Sequence, residues 1–90
     1  MSQAALTVTL PSTLRHAQVM GWLASLRLSA QRGQTVVLDA SALTSFDSSA
    51  LACLIEVRRR LLALGASLQV TGLSERLQRL AQVYGLADLL

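Results

Sequence analysis

Residues 34–40, QTVVLDA, form a short apolar run rich in β-branched residues, without the alternation of a half-wet strand, between two stretches of helical periodicity. Strands buried on both faces read this way, whereas a strand with one solvated face alternates apolar and polar positions. The run therefore predicts a central strand covered on both faces. The flanking patterns support such a sheet. ALTVTL (5–10) sets Leu6, Val8 and Leu10 against Ala5, Thr7 and Thr9, the period of a half-buried strand, and Pro11 ends it.

Helical spacing follows each predicted strand. Residues 14–31 carry Val19, Met20, Leu23, Leu26 and Ala30 at three-to-four spacing, with Trp22 at the margin, Ser12 or Thr13 as cap and Arg32-Gly33 as stop. Residues 49–64 predict a second helix closed by Gly65, and SLQVT (67–71) a third strand with Leu68 and Val70 on one face. Ser74 caps a third helix over about residues 75–84, with the stripe Leu77, Leu80, Ala81 and Tyr84; Gly85 stops it before LADLL. Strand and helix alternate three times with short connections. The expected fold class is α/β: a small, largely parallel sheet joined by right-handed crossovers, in one domain of residues 1–90.

Composition narrows the function classes. Hydrophobic residues make up 52% of the 90 residues and charged ones 14%, against about 25% charged in ordinary globular proteins. A fold this small cannot bury all of that, so an apolar surface patch and a protein partner are expected. No apolar stretch approaches the roughly 20 residues of a membrane-spanning helix, so direct membrane insertion is not expected. MSQAALTVTL lacks the basic start and apolar block of a secretion signal, which predicts a cytoplasmic protein. Cys53 is alone and reads as a small buried hydrophobe. The net charge of +3 rests on eight arginines and no lysine, without interleaved aromatic residues; nucleic-acid binding is not expected.

Catalytic and metal chemistry find little to use. His16 has no cysteine or carboxylate at metal-ligand spacing. Neither GxxxxGK nor GxGxxG occurs, and no cofactor is expected. Ser48 and Ser49 have no candidate base but His16 and no GxSxG turn, so the chain reads as a non-enzyme. Arg58-Arg59-Arg60 stand in the C-terminal half of the second helix, where the dipole favours cations. On a helical wheel Arg58 falls beside Leu51, Ile55 and Leu62, the stripe expected to face the sheet, while Arg59 and Arg60 point away.

The polar cluster Asp47-Ser48-Ser49 at the head of the second helix lies in VVLDASALTSFDSSALACL (36–54), which resembles the signature of STAS domains. That signature is a hydrophobic strand, an Asp, a loop with one apolar residue, a second Asp, one or two hydroxyl residues, a small residue and an apolar helix. Asp39, Leu43, Phe46, Asp47, Ser48, Ser49 and Leu51 fit it in order. LLALGASLQVTGLSERLQRLAQVYGLADLL is similar to the second half of the same family, and the VTGL and LAQVYGL segments are most similar to its short stand-alone type.

The resemblance implies a subunit that binds the ATPase of a phospholipid ABC transporter in Gram-negative bacteria and stays peripheral to the inner membrane through that complex. The alternative it implies is an anti-sigma factor antagonist, switched by a partner serine kinase at Ser48, the first hydroxyl after the second Asp. A phosphate there would add about −1.5 to −2 charges beside Asp47 at a helix N-terminus, which tolerates anions, while repelling a docked apolar partner. A lipid-binding module is a third reading, against which stands the small core of a 90-residue chain. The expected partner-binding residues are Asp47, Ser48, Ser49, Leu51, Ala52, Arg58 and Arg59, on or beside the second helix. Two departures from the family pattern are visible: Ala50 where glycine is usual, and no strand ahead of residues 5–10. The missing strand predicts an open sheet edge and a homodimer in isolation.

Overall fold

The computed structural model describes residues 6–26, 30–86 and 88. In chain order the elements are β1 (Leu6–Thr9), β2 (Thr13–Leu14), α1 (His16–Ser25), β3 (Thr35–Asp39), β4 (Ser45–Phe46), α2 (Ser48–Ala63), β5 (Ser67–Thr71) and α3 (Glu75–Val83). The main sheet has the order β1-β3-β5 and is parallel throughout, so QTVVLDA does supply the central strand. The described part of the ALTVTL strand begins at Leu6.

The register puts Leu6 beside Val36 and Val8 beside Leu38, with Leu68 and Val70 completing the row. All six belong to or pack against one apolar cluster that also takes Val19 and Leu23 from α1, Leu51, Leu54, Val57 and Leu61 from α2, and Leu77 and Ala81 from α3. The opposite sheet face carries Thr7, Val37 and Gln69 in one row and Thr9, Asp39 and Thr71 in the next. Val37 is only half-buried, whereas Val36 and Leu38 are fully buried. The expectation that β3 is covered on both faces is thus corrected: the polar neighbours Thr7 and Gln69 leave Val37 an isolated apolar residue on an outer, mostly polar face.

The first helix departs most from its prediction. Thr13 and Leu14 pair in parallel with Ser45 and Phe46 of β4, and the carbonyl of Ser12 accepts the N–H groups of Thr44 and Ser45 at 2.9 and 3.0 Å. These residues are therefore extended, and α1 starts only at His16 and ends at Ser25. Met20, placed in the core stripe by spacing, is 74% exposed. Ten residues make under three turns, and Val19 and Leu23, four apart, suffice to seat such a helix on α2.

The other two helices match their patterns closely. After α2 the chain turns at Gly65, whose φ of +77° is left-handed. Its N–H reaches the carbonyl of Leu62 at 3.0 Å while that of Ala66 reaches Leu61 at 2.9 Å, the paired bonds that close a helix on glycine. Ser74 caps α3 as predicted, its hydroxyl accepting the N–H of Leu77 at 3.2 Å. Tyr84, read as core, stands outside, 56% exposed.

Candidate functional site

The β2–β4 ladder holds the N-termini of α1 and α2 side by side. Asp47 lies between them. Its Oδ1 accepts the N–H of Ser49 at 2.9 Å, which makes it the N-cap of α2. Its Oδ2 accepts the N–H of His16, the first residue of α1, at 3.1 Å. These bonds, that to His16 foremost, hold the Asp47 carboxyl below its ordinary value of 3.8, with a smaller contribution from the positive charge of Arg15. Arg15 completes the joint. Its N–H bonds Gln18 Oε1 at 3.0 Å, and its guanidinium reaches the carbonyl of Phe46 at 3.4 Å. Neither Ser12 nor Thr13 caps the helix.

Asp39, the first acid of the 36–54 segment, has a humbler part. Its Oδ1 accepts the N–H of Ser41 at 2.9 Å, which turns the chain after β3 and lowers its carboxyl below the ordinary value.

The two serines part company. Ser49 is half-buried, its N–H taken by Asp47 and its hydroxyl 3.4 Å from His16 Nδ1. Ser48 is exposed, and its hydroxyl has no hydrogen-bond partner among the described residues. Beyond it on α2, Ala52 and Arg59 are exposed too, at spacings of four and eleven residues from Ser48 that keep all three on one stripe. Leu51 is corrected as a contact residue: at 1% exposure it lies in the core and supports the helix from beneath. Ala50, in the place where glycine is usual, is fully buried on the same inner face.

The arginines also differ from expectation. Glu56 takes Arg59 through two bonds, at 2.9 and 2.8 Å, and Arg60 through a third at 2.8 Å, which pulls its carboxyl from 4.5 down to about 2. Arg60, expected to point away, crosses to α1 and donates to the carbonyl of Leu23 at 3.3 Å. The inner face of α2 runs through Leu54, Val57 and Leu61 instead of through Leu62, which is 52% exposed. Arg58 is half-buried beside that inner face.

One feature had no counterpart in the predicted site. A groove of about 480 Å³ separates the head of α2 from α3, lined by Phe46, Asp47 and Ser48 on one side and Arg76, Arg79, Leu80, Val83 and Tyr84 on the other. The Arg76 guanidinium lies 4.5 Å over the Phe46 ring, within the range of cation–π attraction.

A family model described as "Mlab, STAS domain" matches residues 1–90. The chain belongs to the MlaB-type STAS domain family. No curated protein and no solved structure matches it. STAS domains are generally non-enzymatic regulatory and binding modules that act through protein–protein contacts, and the parallel sheet with helices on its inner face agrees with a small STAS-type fold. Among the described residues no helix is long and apolar enough to cross a membrane, and no three His, Cys, Asp or Glu side chains form a group able to hold a metal ion.

Proposed function

We propose that this STAS domain is the regulatory and assembly subunit that binds the ATPase of an Mla-type phospholipid ABC transporter, through α2 and the Asp47-Ser48-Ser49 tip. It works without catalysis or cofactor, in the cytoplasm, and reaches the inner membrane through its complex. One observation carries this reading: the Ser48 hydroxyl is exposed and unpartnered among the described residues, at a helix head whose acid is already occupied by two backbone N–H groups. Asp47 thus shapes the tip and Ser48 is the group left to meet a partner. The stripe through Ala52 and Arg59 extends the contact along α2.

The test is co-purification with the tagged ATPase subunit. Ser48→Arg should abolish it and leave the far-ultraviolet circular dichroism unchanged, because an exposed first-turn residue tolerates size. Undiminished binding by that variant would sink the assignment. The same exposed hydroxyl favours a second reading, an antagonist switched by a serine kinase; it predicts capture of an anti-sigma kinase in place of the ATPase, with phosphate on Ser48.

A further inference from the structure

The groove beside the tip combines apolar surface with surplus positive charge. Phe46 lines it at 6% exposure, and Val83 and Tyr84 stand beside it at 80% and 56%. Among the described residues neither Val83 nor Tyr84 belongs to the core cluster or packs against it, and both leave apolar surface open beside the groove. The charges are unequally matched. Glu75 pairs with Arg79 at 2.6 Å, and the Asp47 carboxylate is bound by two helix N–H groups. Arg76 rests on the Phe46 ring and has no carboxylate partner among the described residues.

We infer that the groove seats an acidic, apolar segment of the partner protein, with a large apolar side chain against Val83 and Tyr84 and a flanking carboxylate on Arg76. Charge complementarity fixes the sign of that segment, and the exposed Val83 and Tyr84 fix its apolar part. A small molecule fits less well, because ligand sites enclose most of their ligand whereas this groove is open along α3. The inference rests on reading the tip as a partner contact, since Asp47 and Ser48 form one wall of the same groove.

The experiment measures affinity for the purified ATPase subunit at two ionic strengths. Arg76→Gln and Val83→Ser should each weaken binding about tenfold, as anchors at an interface do. Met20→Ser, on the exposed side of α1, should leave it unchanged. Raising salt should weaken wild-type binding, and less so that of Arg76→Gln. If the ATPase binds and neither groove variant changes its affinity, the groove assignment is overturned while the ATPase reading stands. If the wild-type chain does not bind the ATPase, that reading fails, and the groove is decided by titrating the ¹⁵N-labelled protein with the peptide acetyl-Asp-Leu-Glu-Phe-amide. Shifts confined to Phe46, Arg76 and Tyr84, and lost in Arg76→Gln, support the groove; no shifts at millimolar peptide overturn it.

Discussion

The Asp47 carboxylate accepts the backbone N–H of His16 across 31 residues of sequence, at 3.1 Å, while its other oxygen caps its own helix. One side chain therefore closes the heads of two helices. Helix N-termini carry unpaired N–H groups and partial positive charge, so a shared anion answers both at once. Asp47 thus ties the head of α2 to that of α1, and Ser48 stands exposed beside this joint.

Asp47→Ala should lower Tm by roughly 4–8 °C, the effect of losing a good cap in a domain of this size. Asp47→Asn, which keeps an acceptor, should lose less. The pH dependence has a definite sign. The folded-state pKa is depressed, so the contribution is present above the ordinary value of 3.8 and lost as pH falls below it through the folded value. Glu56 acts in the same direction between 4.5 and about 2. Thermal melts from pH 6 to pH 2 should thus show a shallower acid loss in Asp47→Asn than in the wild type; identical slopes would contradict the shared cap.

The sequence made much of this fold legible, and the misses have common causes. β3, α2, β5 and α3 were readable because each is bounded by a strong local signal: Gly33 and Asp39, Asp47 and Gly65, Gly65 and Gly72, Ser74 and Gly85. β2 and β4 were not, since two-residue strands are too short to show a period and owe their pairing to each other. The bond from Asp47 to His16 was hidden for the same reason, because it exists only once that ladder forms.

The site was half legible. An acid-hydroxyl helix head marks a cap in any sequence, whereas the groove on α3 needed a second stripe to be noticed. Arg76, Arg79, Leu80 and Val83 recur at the same three-to-four spacing as Leu77, Leu80, Ala81 and Tyr84. In a nine-residue helix the two stripes overlap, so spacing alone puts Tyr84 in the core, whereas it stands exposed at the groove's rim. The arginines Arg76 and Arg79 on one stripe were the available signal.

Gly72 and Gly21 should respond to alanine with opposite signs. Gly72 has φ +72°, and a Cβ there would stand 2.8 Å from the backbone nitrogen of Ser41, in the turn held by Asp39. Left-handed strain and a backbone clash together should cost about 2 kcal/mol or more, read as a lower urea midpoint at constant m. Gly21 lies in α1 with nothing near its Cβ position, and Gly21→Ala should stabilise by roughly 0.5–1 kcal/mol. A tolerated Gly72→Ala would mean that the β5–α3 connection is not tied to the Ser41 turn as described.

Cys53 is 1% exposed on the inner face of α2, and burial pushes its thiol from 9.0 up to about 11, the field of Glu56 adding to this and that of Arg60 opposing it. The thiolate is the reactive form, so a disulfide reagent at pH 8 should leave Cys53 untouched in the folded protein and label it at once in denaturant. A raised folded-state pKa also fixes the alkaline behaviour. Its contribution is intact below 9.0 and lost as pH climbs toward about 11, because the unfolded chain ionises first. Cys53→Ala removes that ionisation, so its stability should fall less steeply than the wild type's between those two values, even though the smaller side chain lowers stability at pH 7. Rapid native-state labelling at pH 8 would place the thiol, and with it the middle of α2, much nearer solvent than the packing against Leu54 and Val57 implies.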